Sequence, residues 1–153
     1  CKKVFLPKKF TKKDIWYYEE YASRIGVRDQ VIFSGNVPHA EVEIHMKACD
    51  CLTAPYPKTD HYSYYMSPMK IFEYMASGRP MIVTDLPSVR EIVDEKSAFF
   101  VPAGSSKALS AAVEKLANDK TLAGSLAENA RKEAEQNYTW KKRAQKILNA
   151  INH

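Results

Sequence analysis

Lys70 and Glu73 stand three residues apart within Ser67-Pro-Met-Lys-Ile-Phe-Glu-Tyr-Met-Ala-Ser-Gly78. On a helix that spacing puts an ammonium and a carboxylate on one face. An ammonium holds a phosphate as a point charge, and a carboxylate can accept from both hydroxyls of a ribose diol. At ~1.5 Å rise per residue, Glu73 lies roughly 6 Å along the axis from the amide of Met69, about the step from a phosphate to the ribose of the same nucleotide. Ser67 suits the N-cap, Pro68 the first helical position and Gly78 the C-terminal stop, with Pro80 preventing continuation. Lys70 stands where a capping box would carry Glu or Gln, and its charge opposes the helix dipole. An anion bound by Lys70 and the free N–H groups of the first turn would resolve the conflict. Met69, Lys70, Glu73 and Ser77 would form the exposed face, and Ile71, Phe72, Met75 and Ala76 the apolar one. The plainer alternative is a Lys70–Glu73 surface ion pair worth roughly 0.2–0.5 kcal/mol, and helix physics alone favours it.

The elements that must position this helix alternate along the chain. Short apolar runs predict strands at 3–6, 30–34, 51–54, 80–84 and 98–101. Helices are expected at 11–25, started by Thr11 or Asp14 and stopped by Gly26, then at 39–48 and 88–93. Leu109, Ala112, Val113 and Leu116 recur at helical spacing, as do Leu122, Leu126 and Ala130. Trp140, Ala144, Ile147, Leu148 and Ile151 form a last apolar stripe capped by Thr139. Such alternation implies an α/β, Rossmann-like parallel sheet of about five strands with helices on both faces. Ligands of such sheets bind beyond the carboxyl ends of the strands. Here those ends carry the loops 35–39, 55–66 and 85–88. The longest holds Tyr56, His61, Tyr62, Tyr64 and Tyr65, and reads equally as a ligand lid or as a loop folded onto the sheet edge.

The 153 residues suffice for one compact domain, and 45% hydrophobic with 27% charged residues is ordinary for a globular chain. No apolar run is long enough to span a bilayer, and no signal peptide is visible. The first residue is Cys1 rather than Met, so the chain is expected to be a fragment. Cys49 and Cys51 lack a zinc spacing and read as buried thiols. The net charge is +5, with Lys2, Lys3, Lys8, Lys9, Lys12 and Lys13 all preceding the first acid, Asp14. That run could touch phosphate, nucleic acid or an anionic membrane surface; a solvated edge is the more ordinary reading.

Five pieces in order carry a resemblance: Val31-Ile-Phe-Ser-Gly-Asn-Val37, the Ser67 to Pro80 stretch, Ser88-Val-Arg-Glu-Ile-Val93, Phe100-Val-Pro-Ala-Gly104, and Tyr138-Thr-Trp140 with Arg143-Ala144. Together they resemble the C-terminal half of a group 1 glycosyltransferase (glycosyltransferase family 4, GT-B fold). The resemblance implies a domain that holds a UDP- or GDP-sugar. An N-terminal domain missing from this chain would hold a glycan or lipid-linked acceptor. It further implies hexosyl transfer with retention of configuration, as in polysaccharide biosynthesis, without metal or other cofactor. The setting would be cytoplasmic, with peripheral contact at the inner face of the membrane left open, and nucleic acid is not an expected partner. Glu73 falls on the family's ribose-binding glutamate, Ser67, Met69 and Lys70 on the phosphate-facing helix start, and Gly35 and Val37 on the backbone that contacts the base. These assignments favour the ligand reading of Lys70 and Glu73 over the ion pair.

The chain also departs from the family. Tyr65 stands where many members carry the first motif glutamate, and Met66-Ser67-Pro68 replaces the usual glycine-rich turn. The basic pair expected to grip the diphosphate, with the domain's first strand, would lie upstream of Cys1 or be missing, and with the acceptor domain missing too the chain alone is expected to be inactive. The resemblance also implies a last helix that crosses toward the missing domain, which predicts an exposed apolar patch there. A noncatalytic Rossmann-like module remains the alternative. A nucleic-acid binder ranks last, because the strands are plainly apolar rather than basic and aromatic.

Overall fold

The computed structural model describes residues 12–151. The expected strand at 3–6, the N-terminal lysine run and the caps at Thr11 or Asp14 lie outside the described residues and side chains. The chain divides into two compact units, Cys1–His45 and Met46–His153.

In the first unit, α1 (Lys12–Arg24) stops at Gly26 as expected. Gly26 takes φ 73°, its N–H donates to the Ser23 carbonyl, and the Val27 N–H donates to that of Ala22. The left-handed residue thereby satisfies carbonyls that the helix end would orphan. Ala22 is buried, while Trp16, Tyr17 and Tyr21 are exposed. The strand expected at 30–34 pairs with no other strand among the described residues. Arg28–Gln30 is a 3-10 turn, and Val31 is extended with no ladder partner among the described residues. The Arg28 guanidinium instead fixes this segment, bonding Glu19 and the Val31 carbonyl and lying over the Phe33 ring. Helix α2 (His39–Lys47) follows.

The second unit holds a parallel three-stranded sheet in the order β1 (Leu52–Ala54), β2 (Met81–Thr84), β3 (Phe99–Val101). Thr53 is in register with Ile82, and Ile82 with Phe99. Three of the five expected strands therefore form among the described residues. Every residue of β2 is buried, as a parallel strand covered on both faces requires. Ile82 and Val101 pack into a core with Ala112 and Leu116 of α5 (Ser106–Asn118) and Ala123 and Leu126 of α6 (Lys120–Asn137). Val113, expected in that stripe, is exposed. Side-chain caps start α5 through α7: Ser105 accepts from the Ala108 N–H, Asp119 from that of Leu122, and Thr139 from that of Lys142.

Helix α3 (Met69–Ser77) packs between β1 and α6, and α4 is shorter than expected, at Pro87–Arg90. The last helix, α7 (Trp140–Ile151), has no buried residue, and Trp140, Ile147, Leu148 and Ile151 leave their apolar stripe exposed. No helix among the described residues is long and apolar enough to cross a membrane.

Gly78 ends α3 with φ 67° and ψ 29°, its N–H donating to the Met75 carbonyl. A Cβ there would meet Arg131 Cδ at 3.5 Å, an ordinary contact. Gly78→Ala should therefore cost only the left-handed backbone strain, about 1 kcal/mol of unfolding free energy. Urea melts of the two proteins check this; an unchanged midpoint would contradict it.

Candidate functional site

The start of α3 differs from the expected capped terminus. Ser67 does not cap it: Pro68 occupies the N-cap position with φ −81° and ψ 70°, and no side chain bonds there. These angles make Pro68 the centre of an inverse γ-turn, in which the Met69 N–H donates to the Ser67 carbonyl at 2.9 Å. The Ile71 N–H donates to the Pro68 carbonyl, also at 2.9 Å. Two of the first-turn donors expected to be free for an anion are thus engaged. The ring locks φ near the value this turn needs, so the backbone bonds inward and the hydroxyl of Ser67 is left on the exposed residue.

The helix is also rotated from the expected faces. Ile71 and Met75 are fully buried as expected, but Ser77 is buried and Ala76 exposed. Tyr74 sets the rotation. Its phenol is buried and donates to the Thr53 carbonyl of β1 at 3.2 Å. Burial, then the charges of Tyr56 and Glu73, push the phenol's pKa up, so it stays a donor. Ser77 turns inward because its hydroxyl donates to the Tyr74 carbonyl at 2.6 Å and accepts from the Arg79 N–H. On the other side, the Phe72 ring meets Tyr138 at 5.0 Å, just past the end of α6.

This rotation leaves Met69 and Glu73 exposed and Lys70 half-buried. Lys70 and Glu73 make no ion pair with each other among the described residues. The Lys70 ammonium instead lies 5.9 Å from the centroid of the Tyr56 ring. Burial lowers the Lys70 pKa, against the opposing pull of Glu73. The plain ion-pair alternative is therefore not what the side chains adopt. A cation over an aromatic face gains about 0.5–1 kcal/mol when exposed and more when desolvated, against roughly 0.2–0.5 kcal/mol for an exposed helical ion pair.

The loop 55–66 is folded rather than loose. His61–Tyr65 forms a π-helical turn with Ser63 buried and its N–H on the Thr59 carbonyl. Ser88 of α4 donates from its hydroxyl to the Tyr62 carbonyl at 2.6 Å. The Tyr62 ring stacks on Tyr56 at 5.6 Å and 27°. Tyr64 and Tyr65 project outward, Tyr65 being 78% exposed. Next to this loop, Arg90 forks onto the carboxylate of Asp85, bonds Glu95, and lies 4.3 Å from the Phe100 ring centroid. The Arg90 hydrogen bond holds the Asp85 pKa below the usual carboxylate range.

Of the expected site residues, Ser67, Met69, Lys70 and Glu73 lie together at the start of α3, and Tyr65 ends the turn that leads into it. Gly35 and Val37 belong to the first unit: Gly35 takes φ 64° with open space where a Cβ would stand, and Val37 is buried. Tyr56, Tyr62 and Ser88 carry the support of Lys70, which spacing alone does not reveal; the only signal was the density of tyrosines in a long loop. Cys49 is buried, and Cys51 is half-buried with its thiol pushed up to about 11, mainly by burial. A thiol so shifted is no nucleophile at neutral pH. No cluster of three or more His, Cys, Asp or Glu able to hold a metal occurs among the described residues.

The Tyr56 phenol is pushed up to about 12, first by burial, then by Tyr62 and Glu73. Its folded pKa lies above the unfolded value of about 10. Its contribution to stability is therefore complete below pH ~10 and is lost as pH rises toward the folded value. Tyr56→Phe removes this titration, so thermal midpoints measured across that alkaline range should fall less steeply than in the parent. Identical slopes would contradict the assignment.

The sequence model of the family described as Glycosyl transferases group 1 matches residues 12–119. A putative teichuronic acid biosynthesis glycosyltransferase, TuaH of Bacillus subtilis (strain 168), is 36% identical over 62 residues, which are 40% of this chain and 15% of that protein. Among solved structures, Anabaena HepE in complex with UDP matches with a TM-score of 0.76 and 22% identity, covering 92% of this chain and 37% of that one. HepE has also been solved with UDP-glucose. Sucrose-phosphate synthase from Thermosynechococcus elongatus matches at 0.80 and 19% identity, covering 98% of this chain and 37% of that one. At such identities the structural likeness is one of fold. The chain spans little more than a third of either solved chain.

Proposed function

The chain belongs to the group 1 glycosyl transferases, and from that premise we propose that the start of α3 holds the nucleotide-diphosphate sugar donor of a hexosyl transferase. The observation that carries this reading is a half-buried ammonium at the carboxyl edge of a parallel sheet, held off the carboxylate one turn away. Its desolvated charge is a cost that a diphosphate beside it would offset. Glu73 is exposed and accepts from both ribose hydroxyls; Lys70 meets the diphosphate. The Met69 and Ser67 main chain lines the approach. The HepE complexes with UDP and UDP-glucose support a uridine donor, with GDP-sugars as the alternative.

In the reaction, the bond from the anomeric carbon to the diphosphate oxygen breaks and a bond to an acceptor hydroxyl oxygen forms on the same face of the sugar. The departing nucleoside diphosphate gains negative charge, which Lys70 stabilises more in the transition state than in the bound donor. The acceptor hydroxyl gives up its proton to the departing diphosphate oxygen. No metal is required in this scheme. A glycan or lipid-linked acceptor would meet the donor on a further domain of a longer protein, against which the exposed stripe of α7 would pack.

Isothermal and NMR titration of the 153-residue chain test the site. UDP should bind in roughly the millimolar range, near −4 kcal/mol. Lys70→Ala should weaken it by about tenfold or more, since a charge-assisted bond is worth ~1.5–3 kcal/mol. Glu73→Gln offers one acceptor oxygen in place of two and should weaken nucleotide binding while changing stability by less than ~0.5 kcal/mol. Wild-type UDP affinity in both variants would overturn the site.

A further inference from the structure

Resting on the reading of Lys70 and Glu73 as nucleotide contacts, we propose that Tyr56 is a positioning residue whose ring face holds the Lys70 ammonium apart from Glu73, so that the two charges stay available to different parts of the nucleotide. At a separation of three residues on one helix, a lysine and a glutamate would ordinarily close on each other. Here they do not, and the Lys70 Nζ lies 5.9 Å from the Tyr56 centroid.

The ring is well fixed for the task. The Tyr56 N–H donates to the Ala54 carbonyl at the end of β1. The ring stacks on Tyr62, whose carbonyl accepts from Ser88 at 2.6 Å and whose N–H donates to Thr59 Oγ1. Tyr56 therefore connects the sheet edge, the π-helical turn and α4 to the one cation at the start of α3. The charged and titratable groups acting on this cluster are Glu73 on the same helix, Tyr62 across the stack and Tyr74 one residue after Glu73. A neutral ring face attracts the ammonium without cancelling its charge. A carboxylate would neutralise it and hide it from a phosphate. The arrangement separates positioning from binding.

The test uses the 153-residue chain with Tyr56→Phe, which keeps the ring, and Tyr56→Leu, which keeps apolar bulk and loses the π face. Without nucleotide, the Lys70 Hε protons of the parent should show an upfield ring-current shift by NMR. Tyr56→Phe should retain that shift. Tyr56→Leu should lose it, and cross-peaks between the Lys70 Hε and Glu73 Hγ protons should appear as the released ammonium closes on the carboxylate. With UDP, Tyr56→Phe should bind within about twofold of the parent, and Tyr56→Leu about threefold to tenfold more weakly. Ordinary Lys70 Hε shifts in the parent would overturn the proposal even if Tyr56→Leu failed to fold. Absence of a Lys70–Glu73 contact or an unchanged UDP affinity in folded Tyr56→Leu would overturn it as well. The nucleotide-free measurements judge whether Tyr56 separates the charges, and a Lys70→Ala titration judges whether the helix start is a nucleotide site, so the two failures are told apart.

Discussion

The rotation of α3 about its own axis governs which side chains reach solvent at the carboxyl edge of the sheet. A helix can bury any of several faces that carry enough apolar surface, and α3 has apolar residues nearly all round. One polar contact selects among them. The carbonyl of Thr53 alternates with Leu52, whose N–H is committed to Pro80 on the β2 side, so it points away from β2 and needs a donor. The Tyr74 phenol supplies it. An unpaired buried carbonyl and an unpaired buried phenol would each cost about 1–3 kcal/mol, more than the difference between neighbouring apolar registers. With Tyr74 seated, Ile71 and Met75 fall into the core, Phe72 meets Tyr138, and Lys70 and Glu73 emerge on the remaining face.

That face carries two opposite charges that stay apart. The reason lies in the relative size of small terms. An exposed helical ion pair is worth a few tenths of a kcal/mol, because water already solvates both partners. A half-desolvated ammonium over a fixed aromatic ring gains as much or more. Fixing the ring in turn depends on the loop after β1, which Ser88 and the Tyr56–Tyr62 stack hold in shape. The γ-turn at Pro68 completes the device by drawing backbone donors inward, so the anion-binding capacity of this helix start rests chiefly on the lysine rather than on open N–H groups.

Much of this was legible in the sequence, and the reasons are local. Gly78 with Pro80 marked the end of α3, Thr139 the start of α7, and the runs at 51–54, 80–84 and 98–101 the three strands, because each signal acts through neighbours in the chain. The pairing of Lys70 with Glu73 on one face was equally local. The rest depended on partners far along the chain. Ser77 reads as an exposed residue until Tyr74 is known to anchor on Thr53. Ser67 reads as a cap because Ser-Pro before a helix usually is one, yet Pro68 at ψ 70° bends the carbonyl of Ser67 back onto Met69. The run at 30–34 has strand composition, yet no strand pairs with it among the described residues. The role of Tyr56 depends on a stack six residues away and on a hydroxyl in α4, neither of which has a spacing rule.

The most direct test of a nucleotide site at the start of α3 is a crystal structure of this chain soaked with UDP-glucose. The account predicts a phosphate oxygen within about 3 Å of Lys70 Nζ and the ribose hydroxyls on the two carboxylate oxygens of Glu73, with the Lys70 side chain still over Tyr56. A nucleotide seated away from α3, or Lys70 and Glu73 closed on each other beside it, would contradict the account.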